Sequence, residues 1–187
     1  MLTTTYVSQF VHSVIKKVWL EDISKDYEKL YLLKEDSLKN AFYSHLRRRL
    51  GDDFLEENNI RIFTEYYIGN QKADLSVVEI DPNMAKGKHL KECITKVISI
   101  VEMKHKDENA SESHFDNDVL KVLSYINTAM PNTMHYVAFI REKYFYADEV
   151  TNWVTSEQAL EARGSLTEMY SYGDVKSGSM VWGVIEH

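Results

Sequence analysis

Apolar positions recur at helical spacing early in the chain and switch to a period of two after residue 60. In "YVSQFVHSVIKKVWL" (6–20), Val7, Phe10, Val11, Val14 and Val18 share one face, which predicts an amphipathic helix. A polar stretch follows, in which Leu30, Leu32 and Leu33 predict a short buried segment. "EDSLKNAFYSHLRRRLG" (35–51) predicts a second helix. Leu38, Phe42, His45 and Arg49 continue the stripe that starts at Glu35, and Gly51 is a natural stop. "IRIFTEYYIG" (60–69) and "ADLSVVEI" (73–80) alternate as strands, separated at Gly69-Asn70 and closed by Asp81-Pro82-Asn83. The Lys-rich connection "MAKGKHLKE" leads into a third strand over 94–104. The loop "HKDENASES" then precedes a helix over 114–130, ended by Pro131, and "MHYVAFIR" (134–141) is a fourth strand. Beyond it lie a helix near 156–163, an aromatic segment and a final strand, "MVWGVIEH". Helix, three strands, helix, strand is the order of an α/β fold, a three-layer sandwich with a central mixed β-sheet flanked by helices.

The 187 residues suit a single domain, with two prolines and seven glycines arguing against a long flexible linker. Within it the core spans 33–141, preceded by the helix over 6–20 and followed by a C-terminal extension, 142–187. Cys93 is the single cysteine, so neither an internal disulfide nor a zinc knuckle is available, and a reducing, cytoplasmic setting is expected. No apolar run approaches a membrane span and the first residues lack a signal-peptide layout, so no membrane partner is expected. The net charge of −7 argues against a nonspecific nucleic-acid clamp. It says little about one groove, and a metal site built of carboxylates adds negative charge by itself.

The candidate chemistry lies in "VISIVEMKHK" (97–106), an apolar strand that ends on Glu102 and Lys104. Alternation sends Ile98, Ile100, Glu102 and Lys104 to one side and Val101 and Met103 to the other. If the second and third strands pair antiparallel in a register that sets Asp74 opposite Glu102, then Asp74, Glu102 and Lys104 converge. Two carboxylates at one sheet end repel each other and invite a hard cation such as Mg²⁺. Lys104 would then orient or deprotonate a water, or offset charge on an attacked phosphate. The competing reading is a solvent-facing ion pair of Glu102 and Lys104.

This arrangement resembles the PD-(D/E)XK nuclease superfamily, through Glu35 in "KEDSLKNAF", Asp74 in "KADLSVV" and Glu102 with Lys104 in "VEMKHK". The resemblance covers roughly 33–141 by element order. It implies a restriction-endonuclease-like core in which Asp74 and Glu102 bind Mg²⁺ (or Mn²⁺), Glu35 assists and Lys104 serves the attacking water. Ala73 stands where the family's name has proline, and the connection between Asp74 and Glu102 is long. Asp36 is the alternative to Glu35 as the helix carboxylate. The expected activity is that of a metal-dependent nuclease, an endonuclease or exonuclease, with DNA as its substrate. The expected phosphate contacts are Lys106, Arg48 and Arg49, together with Arg47, Lys86 and Lys88. The rival expectation is a noncatalytic nuclease-fold subunit of a nucleic-acid-processing or defence complex. A homo-oligomer, or a protein partner that supplies basic surface, would fit the acidic balance. The histidines show no paired zinc spacing, and no GxSxG, P-loop or dinucleotide fingerprint is present.

Overall fold

The first helix runs further than its apolar stripe alone predicts. The computed structural model describes residues 4–128 and 132–187. Helix α1 (Thr4–Lys17) continues through a π-helical turn (Val18–Ile23) into α2 (Ser24–Glu28). Trp19 and Ile23 are fully buried, so core packing carries the helix past Leu20. The predicted buried segment behind it is corrected. Leu30 and Leu33 are 88% and 85% exposed and only Leu32 packs inward, because Leu30 takes a left-handed turn (φ 61°) that swings the chain outward. Helix α3 (Glu35–Leu50) then starts where the Ser37 hydroxyl accepts the Leu33 and Lys34 backbone N–H groups, both at 2.9 Å. It ends at Gly51 (φ 80°), the left-handed position that favours glycine, and a short α4 (Asp52–Glu57) follows.

Six strands form one sheet in the order of the chain: β1 (Ile60–Ile68), β2 (Gln71–Ile80), β3 (Ile94–Lys106), β4 (Met134–Phe145), β5 (Leu166–Asp174) and β6 (Ser179–Glu186). Pairing is antiparallel from β1 to β3, parallel from β3 to β5, and antiparallel again at β6. Helix α5 (Ser113–Thr128) is the crossover between β3 and β4, and α6 (Ser156–Ala162) the one between β4 and β5. The expected stop at Pro131 lies outside the described residues. Strand β5 is the element that the pattern leaves as an unassigned aromatic segment. As an interior strand it is buried on both faces, which removes the alternation that would have revealed it.

Two apolar clusters cover the two faces. On one, Leu38, Phe42 and Leu46 of α3 and the α1 stripe meet Leu75, Val77, Val101, Met103 and Tyr136. On the other, Phe115, Val119 and Val122 of α5 meet Ala73, Ile100, Val137 and Phe139. The protein is thus an α/β fold with a six-stranded mixed sheet between helical layers.

Two local irregularities shape the sheet end that carries the acidic residues. Val77 pairs with Ser99 but Val78 with Val97, leaving Ile98 as a bulge. Ile98 consequently joins the α1–α3 cluster while Ile100 joins the α5 cluster, so the expected alternation holds only from Ile100 onward. In β1, Glu65 takes a left-handed conformation (φ 59°) between the pairs Thr64–Leu75 and Tyr66–Ala73. The break lies directly across from Asp74, and Ala73 and Leu75 fall in opposite clusters.

His135, on β4, is 2% exposed, and burial pushes its pKa down from 6.5 to about 4. The unfolded chain therefore binds a proton that the folded one refuses. Its stabilising contribution is complete above pH 6.5 and is lost as pH falls towards 4, by roughly 3 kcal/mol in total. His135→Phe should flatten the acid limb of the stability profile in denaturant titrations across this window; a limb as steep as wild type would count against it.

Candidate active site

The start of β2, the end of β3, the first turn of α3 and the middle of α5 meet at one sheet end. Leu75 pairs with Val101, and the same register carried one residue outward brings Asp74 beside Glu102. Asp74 Oδ2 accepts the Met103 backbone N–H at 2.7 Å, and Oδ1 lies 2.7 Å from the Lys39 ammonium. Lys39 also reaches Glu35 (3.3 Å) and Glu65 (3.6 Å). Glu102 turns toward α5, where Lys121 donates to Oε2 at 2.8 Å and the Tyr125 hydroxyl to Oε1 at 3.0 Å. Lys104 lies between Glu35 (3.2 Å) and Asp118 (2.9 Å).

The structure thus brings Glu35, Asp74, Glu102 and Lys104 together. It also separates Glu35 from its alternative: Asp36 points outward and pairs with Lys34 at 2.9 Å. Arg48 and Arg49 are placed elsewhere. They sit at the far end of α3, about 20 Å from Glu35 at a rise of about 1.5 Å per residue. There Arg49 binds Asp22 and, at 2.7 Å, Glu21, while Arg48 reaches Asp22 at 3.3 Å. Their role here is to tie α3 to the π-helical turn, and Arg47 pairs with Asp52 at 2.9 Å. Lys106 is half-buried at the end of β3 and has no ion-pair partner among the described residues. Lys86 and Lys88 lie in the connection at the other end of the β2–β3 hairpin.

Burial sets the electrostatics. Glu102 is 1% exposed, and burial, then the Asp74 charge, push its pKa up to about 8 against the pull of Lys121 and Tyr125. Burial likewise raises Asp118. For Lys104, burial favours loss of the proton, but Asp118 and Glu35 outweigh it and the pKa is raised. Lys39 is raised in the same way, with Asp74 and Glu35 overcoming burial. With the proton on Glu102, the charges of Glu35, Asp74 and Asp118 balance those of Lys39, Lys104 and Lys121. An exposed Glu102–Lys104 pair is therefore not what the fold contains: the two side chains have different partners, and Glu102 is buried.

Lys39, Asp118, Lys121 and Tyr125 are the members that sequence reasoning did not select. Their signal was present, since Glu35 and Lys39 share a face at i,i+4, as do Lys121 and Tyr125, with Asp118 one turn earlier. These groups lie on α3 and α5, the two helices next to the Glu-x-Lys strand.

The donor set suits Mg²⁺, which commonly uses one or two carboxylates and keeps its waters. Asp74 and Glu102 offer two carboxyl groups close together, and their charges would repel each other if both were ionised. A closed all-protein site does not fit: among the described residues, no three His, Cys, Asp or Glu side chains converge to hold a metal. Among the described residues, no helix is long and apolar enough to cross a membrane. No protein-family model matches this chain, and no curated protein matches it.

Proposed function

We propose that this protein is a Mg²⁺-dependent nuclease of the PD-(D/E)XK type, with a restriction-endonuclease-like core, that hydrolyses phosphodiester bonds in DNA. The observation that carries the reading is the burial of Asp74 and Glu102 side by side at a sheet end, with Lys104 and Glu35 at their edge. Nothing in the packing requires a carboxyl as buried as Glu102, and a fold that served stability alone would do better with an apolar residue there.

Asp74 and Glu102 would hold the ion, which would activate water and neutralise charge on the attacked phosphate. The Met103 N–H fixes the carboxylate plane of Asp74, and Tyr125 fixes that of Glu102. Glu102 would give up its proton when the cation arrives, because two positive charges replace one. Lys104, kept protonated by Asp118 and Glu35, would act as a cation that orients water and stabilises negative charge in the transition state, and not as a base. Lys39 and Lys121 close the exposed side of the carboxylates, so substrate phosphate would draw them away.

Incubation with plasmid, linear and single-stranded DNA in Mg²⁺, Mn²⁺ or EDTA tests the reading; metal-independent or absent hydrolysis sinks it. Lys104→Ala should lower turnover by at least about a hundredfold, because it removes charge needed mainly in the transition state. Glu35→Gln should cost less. Arg48→Ala should leave turnover unchanged and be felt only in stability. A second reading, a noncatalytic subunit in a nucleic-acid complex, is favoured by the closed lysine–carboxylate network and the acidic balance. It predicts wild-type-like function in Lys104→Ala.

A further inference from the structure

We infer that a groove along β1 is a single-stranded nucleic-acid track leading into the carboxylate site, an inference that rests on the nuclease reading for its destination. The groove is a cavity of about 540 Å³ between β1 and the segment that precedes β3, with Phe63, Tyr66, Tyr67, Leu90 and Ile94 on its walls. Its inner end shares a wall with the site: Glu65 lines it and lies 3.6 Å from Lys39, which holds Asp74 at 2.7 Å. Its outer end meets, at Glu92, a second depression of about 400 Å³ lined by Lys86, Lys88 and His89. Aromatic walls near the chemistry thus give way to ammonium groups further out.

That order of surfaces is what an unpaired strand requires. Bases stack on aromatic rings while the backbone follows positive charge, and a duplex cannot offer its bases to such a cleft without unstacking them. Tyr67 is 65% exposed and makes no ring contact among the described residues, and Leu90, across the groove, is also exposed. A lone exposed apolar residue is ordinary, but two facing one cavity, beside the half-buried Phe63, Tyr66 and Ile94, are not. The left-handed Glu65 contributes directly. It lets Phe63 and Tyr66, which strict alternation would send to opposite faces, both pack on the α5 side where the groove opens. Charge agrees with the occupant: Glu65 is paired with Lys72 and Lys39, and Glu92 is outnumbered by Lys86, Lys88 and Lys91. The lysines that lie far from Asp74 thereby acquire a place along the substrate path.

The test is binding of the full chain, in EDTA, to a fluorescent oligothymidylate, to the same backbone with abasic sugars, and to a hairpin duplex. Oligothymidylate should bind roughly tenfold more tightly than the abasic strand. Tyr67→Ala, an exposed position that should not disturb folding, should remove most of that advantage and leave duplex binding unchanged. Lys86→Ala with Lys88→Ala should instead reduce the slope of log affinity against log salt by about 1.4 on the single strand. Equal binding of the abasic and base-bearing strands, or no effect of Tyr67→Ala on single strands, would overturn the track. Adding Mg²⁺ separates the two claims. Hydrolysis that persists while Tyr67→Ala is silent would discard the groove and keep the site. Binding that follows Tyr67 without any hydrolysis would keep the groove and discard the nuclease. No detectable binding of any strand would overturn the track, and the nuclease reading would fall with it only if hydrolysis in Mg²⁺ were absent too.

Discussion

Replacing Glu102 with glutamine should make the metal-free protein more stable while abolishing hydrolysis. The folded state raises the Glu102 pKa from 4.5 to about 8. A carboxyl with a raised folded pKa stabilises fully below pH 4.5, and that contribution is lost as pH rises through 8. The shift corresponds to several kcal/mol, reduced in the variant because Lys121 loses a charged partner. A net gain of roughly 2–3 kcal/mol above pH 8 is expected, which is a rise in Tm of roughly 4–12 °C for a chain of this size. Glutamine keeps an amide that can face Tyr125 and never ionises, so the gap between variant and wild type should open steadily with pH and then level off. Thermal unfolding in EDTA at about pH 5 and about pH 9 measures it. A variant that melts below wild type at the higher pH would show that Glu102 is a structural anion held by Lys121.

Asp74 should behave differently, because one of its oxygens accepts a buried backbone N–H and the other holds Lys39. Asp74→Ala leaves the buried Met103 N–H unsatisfied and Lys39 without its nearest anion, a loss of about 1–3 kcal/mol. Asp74→Asn can still accept the Met103 N–H and removes the charge that helps raise Glu102, so it should melt near wild type. Both changes remove a metal ligand in the proposed site. In wild type, Mg²⁺ at ten times its Kd should stabilise the fold by about 1.4 kcal/mol, a shift of a few degrees over a matched ionic-strength control. Neither variant should retain that shift, and hydrolysis should fall by at least about a hundredfold in both. A divalent-specific shift that survives in Asp74→Asn would place the cation elsewhere.

The helix carboxylate illustrates how far a sequence can be read. Glu35 and Asp36 are adjacent and chemically similar, and both suit a helix start; only the rotation of α3, set by Leu38, Phe42 and Leu46 packing on the sheet, turns Glu35 toward Lys104 and Asp36 outward. The arginines at the other end of α3 show a second limit: they are expected to contact phosphate, yet Asp22 and Glu21, distant in sequence, pair with Arg48 and Arg49 within the fold. Lys121 and Tyr125 stayed hidden for a related reason, since their importance lies in what α5 faces and not in their own pattern.

By itself the sequence determined the helix and strand periods over most of the chain, and the placing of Asp74 and Glu102 at strand positions able to meet, because side-chain periodicity and turn chemistry are local properties. The tertiary structure alone decided the sheet order, the interior position of β5, the bulge at Ile98 and the break opposite Asp74. It also decided that Glu102 is buried against α5 beside Asp74, which is what raises its pKa. Strand pairing, burial and the field at a carboxyl group are sums over residues far apart in the chain, and no local pattern contains them.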